Sequence, residues 1–193
     1  MESSFVVDGI TIKHVLYEQK YESLIRDFPS KNRKMDQYVI DKAVTDRQEG
    51  KGVTFLFLNE DENELFGYFI LASTSIIIDD ESGFYLNLPS IEIKFFAIPV
   101  KYSGKRCKDV LDGEPYNYSD AMFWQVLSRI DTYSEEILGI EAILLRSTPE
   151  AEYFYNRHGF HHYDNFKQNL IIADDKFDVS CIPLIHLFKV NGS

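Results

Sequence analysis

The order of apolar and polar positions along the chain predicts an alternation of strands and helices. Residues Phe5 to Val15 (FVVDGITIKHV) alternate well enough for a first strand, with a turn at Asp8-Gly9. Tyr17 to Phe28 reads as a helix, and the polar run Pro29 to Lys34 as a loop. A second helix is expected over Asp36 to Glu49, with Tyr38, Val39, Ala43 and Val44 on its apolar side. Asp36 would cap its start and Gly50 or Gly52 would end it. Val53 to Leu58 and Phe66 to Ser73, joined by the acidic turn NEDENE, give a hairpin signal, and Ser75 to Ile78 continues or follows the second strand. Asp79 to Leu88 reads as a loop or a short hairpin tip, and Ser90 to Ile98 (SIEIKFFAI) as the most strand-like run in the centre. A long polar stretch, Pro99 to Ser119, precedes an amphipathic helix over Asp120 to Glu136, where Met122, Phe123, Val126, Leu127 and Ile130 recur at helical spacing. Gly139 ends that helix, and Ile140 to Leu145 is a short buried strand. Pro149 opens a last helix and Gly159 closes it. Phe160 to Tyr163, Asn169 to Ile172 and Ile182 to Val190 are later strands, with Pro183 marking an edge or first position. Strand, two helices, three strands, helix, strand, helix, strands is the order of a mixed α/β domain with helices on both sides of one central sheet.

Length and composition narrow this picture. A chain of 193 residues with 45% apolar and 15% aromatic side chains suits one folded domain spanning 1–193. No apolar run is long enough to span a bilayer, so no membrane partner is expected. The N-terminus shows no signal-peptide pattern, and Cys107 and Cys181 stand far apart in no metal-ligand spacing, which points to the cytoplasm. A formal net charge of −11 repels phosphate backbones, which disfavours nucleic acid and favours cationic groups such as amines.

Against that acidic background Lys101, Lys105, Arg106 and Lys108 form a local basic cluster beside Gly104. Backbone N–H groups at a helix start, a nearby glycine and basic side chains are what a phosphate needs. His158, His161 and His162 cluster without a Cys or carboxylate at a useful spacing, and no metal is expected there. No Walker, Gly-x-Ser-x-Gly or dinucleotide glycine pattern occurs.

Three segments resemble the GNAT superfamily of acetyl-CoA-dependent N-acyltransferases: Phe66-Gly67-Tyr68-Phe69-Ile70-Leu71-Ala72 after the acidic turn, Ser90 to Ile98, and Phe154-Tyr155-Asn156-Arg157-His158-Gly159-Phe160. The resemblance covers roughly Asp36 to Tyr163 and implies a central mixed, mostly antiparallel sheet flanked by helices on both faces. It implies acetyl-CoA as co-substrate, an amine-bearing acceptor and direct attack of the amine on the thioester, and it leaves a homodimer open. By the same resemblance the backbone at Phe96, Ala97 and Ile98 holds the thioester and pantetheine. Glu92 stands where several protein-acetylating members place a general base, and Tyr155 where a general acid protonates the leaving thiolate. Ser147 stands where a polar side chain binds pantetheine; it could equally cap the Pro149 helix.

The sequence departs from the family at the pyrophosphate loop. In place of Gln/Arg-x-x-Gly-x-Gly/Ala it has Val100-Lys101-Tyr102-Ser103-Gly104-Lys105-Arg106, with one glycine and about twelve residues (Cys107 to Tyr118) before the helix. A split loop is expected: Gly104, Lys105 and Arg106 as its first half, and the helix start at Tyr118, Ser119, Asp120 and Ala121 as its second. Ser119 or Asp120 would cap the helix, and the N–H groups of Ser119 to Met122 would face the phosphates. Two other functions stay open: a GNAT-fold acyl-CoA-binding module with weak or no turnover, motivated by the missing glycine, and a tRNA-acetylating toxin, which the negative charge disfavours.

Overall fold

The computed structural model describes residues 4–79, 85–111, 113–162 and 181–188. An eight-stranded sheet has the order β1 (Ser4–Val7), β2 (Ile10–Leu16), β3 (Val53–Asn59), β4 (Leu65–Asp79), β5 (Tyr85–Ala97), β8 (Ala142–Ser147), β10 (Ile182–Leu187), β9 (His161–His162). A separate two-stranded sheet pairs β6 (Arg106–Leu111) with β7 (Glu114–Asn117). Among the described residues four α-helices accompany them: α1 (Glu22–Arg26), α2 (Arg33–Gln48), α3 (Tyr118–Glu136) and α4 (Glu152–Arg157). Neighbours in the large sheet run antiparallel at β1–β2, β2–β3, β3–β4, β8–β10 and β10–β9, and β5 and β8 run parallel. The class is mixed α/β, with a mostly antiparallel sheet.

The chain forms two compact units. One contains Met1–Ala72 and Phe95–Arg129, the other Ser73–Lys94 and Ile130–Ser193. In the first, strand periodicity sorts side chains onto two faces. Leu56 and Leu58 of β3 and Tyr68 and Ile70 of β4 meet Ile25 of α1 and Val39 and Ala43 of α2 in one buried cluster. The alternate residues Phe55, Phe57 and Phe69 pack against one another on the other face, where the Arg129 guanidinium of α3 lies 4.2 Å from the Phe55 ring. At the end of β5, Phe95 meets Tyr38 of α2 and Phe96 meets Phe123 of α3. Helices therefore cover both faces here, as the sequence implies. His14 is buried edge-on to Phe57, and Nη1 of Arg129 approaches its Nδ1 at 3.4 Å. Burial first, and the neighbouring Arg129 charge second, lower its pKa to about 4.

Several boundaries differ from expectation. The first strand is a hairpin, with Asp8 (φ 51°) and Gly9 (φ 77°) turning between β1 and β2. The helix expected over Tyr17 to Phe28 shrinks to a 3-10 turn at Gln19–Tyr21 plus α1, because the Tyr17 N–H prolongs the ladder by donating to the Thr54 carbonyl. The cap of α2 is Asn32, whose side chain accepts the Lys34 N–H. Asp36 instead turns inward, 3% exposed, and accepts hydrogen bonds from the Tyr68 and Ser30 hydroxyls. Strand β4 continues unbroken through Ser75, and β5 begins at Tyr85, inside the expected loop. In the second unit Pro149 precedes α4 in a turn and does not open the helix; Ala151 is the cap residue. Gly159 closes α4 as expected: its φ of 82° lets its own N–H reach Asn156 and the Phe160 N–H reach Tyr155. Pro183 sits in β10 outside the two positions that pair with β9, so its missing N–H breaks no bond to that strand. Tyr163 and Asn169 to Ile172 lie outside the described residues.

Candidate functional site

The expected site residues fall into two groups, one in each unit. In the first unit the described residues of the polar stretch after β5 form a turn and a hairpin. Pro99 leads into a 3-10 turn, Val100–Tyr102, whose Val100 N–H donates to the Pro29 carbonyl. Gly104 lies exposed in the following turn with φ 71°. The chain then leaves as β6, reverses, returns as β7 and enters α3. Arg106 pairs with Asn117, and the Tyr118 N–H donates to the Lys105 carbonyl at 3.0 Å. The insertion is thus a β-hairpin closed at its base, which sets Gly104, Lys105 and Arg106 directly beside the start of α3. The expected split loop is rejoined in space.

The helix begins two residues earlier than the sequence implied. Asp120, 3% exposed, is its third residue and accepts the Asn117 N–H at 2.9 Å, half of a capping box. Ser119 is its half-buried second residue and Ala121 its buried fourth. Asn117, not Ser119 or Asp120, occupies the cap position. Of the N–H groups expected to face a phosphate, that of Met122 falls inside the helix, where an i−4 carbonyl precedes it.

The basic cluster rests on aromatic rings. Phe66, Tyr102 and Tyr118 form a ladder with centroid spacings of 5.2 and 4.7 Å. The Lys105 ammonium lies 5.3 Å from the Tyr102 centroid and 5.1 Å from that of Tyr118, while Lys101 pairs with Glu64 at 2.5 Å. Arg106 and Lys108 are exposed. A cation held on ring faces is kept in place at little cost and can turn to a phosphate oxygen. The half-buried Phe96, Ala97 and Ile98 close β5 against Phe123 on one side and Gly67 on the other.

In the second unit the parallel register runs from Ser90–Ala142 to Ile93–Leu145 and stops there. Glu92 lies opposite Leu144, and its carboxylate is 3.8 Å from Nε of Arg146, with 21% of the Glu92 side chain exposed. Tyr155 sits mid-helix in α4, its ring against Phe154 and Phe160. Burial holds its phenol above the ordinary tyrosine pKa, so at neutral pH it carries its proton. The Ser147 hydroxyl, 1% exposed, donates to the Thr148 carbonyl at 2.7 Å and so does not cap α4. His162 pairs with Glu152, and Nδ1 of His158 meets the Phe154 carbonyl.

The sequence drew no attention to Asp8 as part of this loop, and it placed Tyr102 and Tyr118 in the loop without a role for their rings. The Asp8-Gly9 turn was visible, but its partners lie a hundred residues away, and no local signal links them.

No family model matches the chain, and no curated protein matches it. Solved structures do. A crystal structure described as a bacterial toxin matches at 14% identity, over 92% of this chain and 91% of that one, with a TM-score of 0.64. AtaT complexed with acetyl-methionyl-tRNAfMet matches at 12% identity, over 91% and 94%, with a TM-score of 0.64. A tyrosine-to-phenylalanine mutant of the AtaT toxin, bound to the C-terminus of the antitoxin AtaR and acetyl-CoA, matches at 12% identity, over 91% and 92%, with a TM-score of 0.62. At such identities the likeness fixes the fold, and the fold is GNAT-like, with the parallel β5–β8 pair inside a mixed sheet.

Proposed function

We propose that this chain is a GNAT-type N-acetyltransferase that moves the acetyl group of acetyl-CoA to a primary amine. The observation that carries the reading is the rebuilt phosphate loop on a GNAT-like fold: the Lys105 carbonyl and the Tyr118 N–H join the two halves that the sequence separates. Gly104, Lys105, Arg106 and the first turn of α3 with Ser119, Asp120 and Ala121 take the pyrophosphate, and the backbone of Phe96 to Ile98 takes the pantetheine end. Ser147, whose hydroxyl is spent on Thr148, contributes shape more than a hydrogen bond.

The amine nitrogen attacks the thioester carbonyl carbon; a C–N bond forms, the C–S bond breaks and the CoA thiolate leaves. An ammonium is no nucleophile, so Glu92 takes the amine proton, directly or through water. Tyr155 gives a proton to the thiolate and regains it from solvent. A phenol with a raised pKa is a reluctant acid but a reliable hydrogen-bond donor, and a CoA thiolate is itself basic.

For the acceptor, the α-amino group of an aminoacyl-tRNA is favoured over a protein lysine or a small amine. Its support is the match to AtaT with acetyl-methionyl-tRNAfMet. The net charge of −11 opposes tRNA, so contact with it must be confined to local basic positions outside the phosphate loop, such as Lys108. The deciding measurement is acetyl transfer from labelled acetyl-CoA to aminoacyl-tRNA, a lysine peptide and a polyamine in parallel. Label on the charged tRNA alone supports the tRNA acceptor; label on the peptide or polyamine alone restores the broader amine reading. CoA binding with no transfer to any of them makes the chain an acyl-CoA-binding module.

A further inference from the structure

We infer that Asp8 is a positioning residue for the cofactor: it latches the N-terminal hairpin onto the inserted β6–β7 hairpin and so holds the split phosphate loop in its binding shape. The inference rests on the CoA reading above. One carboxylate oxygen of Asp8 accepts the N–H groups of Lys108 at 2.6 Å and Asp109 at 3.3 Å. The other accepts the Tyr118 hydroxyl at 2.7 Å. Asp109 answers in kind, its Oδ2 accepting the Asp8 N–H at 2.7 Å. One side chain at the turn between β1 and β2 therefore ties together the outgoing strand of the insertion and the first residue of α3.

The strand begins at Arg106, directly after Gly104 and Lys105, and the helix start is the other half of the loop that must converge on a pyrophosphate. The base of the hairpin is joined by the hydrogen bond from Tyr118 to Lys105 beside the Arg106–Asn117 pair, and Lys105 rests on the Tyr102 and Tyr118 rings. Fixing the Tyr118 hydroxyl through Asp8 fixes the ring on which Lys105 lies. The inserted hairpin is otherwise held by Cys107, the buried residue of β6, and by the Tyr116 ring 5.3 Å from that of Trp124, while Val110 and Leu111 are exposed. Burial works against the Asp8 charge, but the Tyr118 hydroxyl and the two N–H donors outweigh it and hold its carboxyl below the ordinary aspartate pKa, as a working acceptor requires. The chain adopts a left-handed conformation at Asp8 (φ 51°), which glycine tolerates best, so Asp8→Gly removes the carboxylate while leaving the turn unstrained.

The test compares the wild-type chain with Asp8→Gly and Asp8→Asn. CoA affinity is measured by calorimetry, and kcat and KM are measured with acetyl-CoA and with S-acetylpantetheine, which lacks the ADP part. Amide exchange is followed at Lys108 and Asp109. If the unlatched loop is competent a tenth of the time, Asp8→Gly weakens CoA binding and raises KM for acetyl-CoA about tenfold. It leaves kcat and the S-acetylpantetheine KM unchanged, and both amides exchange faster. Asp8→Asn, which keeps an acceptor oxygen, recovers part of the affinity. Equal losses with both thioesters, or unchanged CoA affinity in Asp8→Gly, overturn the inference, as do unchanged amides. A wild-type chain that binds no CoA overturns the site reading itself and with it the cofactor role, and the exchange data then report on the latch alone.

Discussion

Gly67 and Ala97 approach so closely that a Cβ on Gly67 would lie 2.7 Å from the Ala97 carbonyl oxygen. The obstacle is backbone, which cannot rotate away, and the Phe57 ring and Ile98 side chain stand at 3.2 and 3.3 Å behind it. Gly67→Ala must therefore push β4 away from the end of β5, at a cost of about 1–3 kcal/mol. For a chain of this size thermal unfolding falls by roughly 2–4 °C per kcal/mol, which calorimetry reads directly. Because the displaced residue belongs to the segment assigned to pantetheine, CoA affinity is expected to fall as well.

Removing the Tyr155 hydroxyl tests its role in turnover. Tyr155→Phe keeps the ring against Phe154 and Phe160, so stability and CoA affinity should hold. If the phenol protonates the thiolate, kcat falls by about 10²-fold or more. Stopped-assay turnover under saturating acetyl-CoA decides the matter, and an unchanged kcat removes the acid role.

Glu92→Gln asks the matching question of the base. The side chain is partly exposed and its partner Arg146 sits at 3.8 Å, so the stability change should stay within about 0.5 kcal/mol. Acetyl transfer at pH 7 should drop by about 10²-fold, and raising the pH, which deprotonates the amine in solution, should recover part of it. A variant as active as the parent leaves Glu92 with only its ion pair.

Asp36 offers a stability test away from the chemistry. Its carboxylate is buried and takes hydrogen bonds from Tyr68 and Ser30, with Arg33 at 3.6 Å. Burial first, and the Asp36 charge second, push the Tyr68 phenol far above its usual range, so it remains a donor at any working pH. Tyr68→Phe leaves one carboxylate oxygen short of a partner and should cost about 1–3 kcal/mol in urea unfolding.

His14 sets a pH window. Its folded pKa of about 4 lies below the ordinary histidine value of 6.5, so the unfolded chain binds the proton more tightly. The stability tied to neutral His14 is fully present above pH 6.5 and is lost as the pH falls toward 4, a loss of roughly 3 kcal/mol at most. His14→Phe, placed among Phe5, Phe57 and Phe69, should flatten the stability profile over that window.

These residues also show what the sequence could carry. The β3–β4 hairpin, α3 and β8 were legible because their apolar positions recur with a period that burial enforces. The β6–β7 hairpin was not: Val110 and Leu111 face solvent, and what orders the strand is a carboxylate from the far end of the chain. Asp36 looked like a cap because an aspartate near a helix start usually is one, and only the tertiary fold puts Tyr68 beneath it. In the candidate site the resemblance pointed to Tyr155 and Glu92, but backbone donors leave no trace in residue identity. The rejoined loop became visible only when Lys105 and Tyr118 met.

Because Tyr118 and Lys105 meet across a single hydrogen bond, the β6–β7 insertion has entry and exit points that almost coincide. Sequence can be spliced in or trimmed between such points with little change in loop-closure entropy. The hairpin can thus change in length and character while the junction beneath it stays fixed, and variation among relatives should gather at its tip and spare its stem.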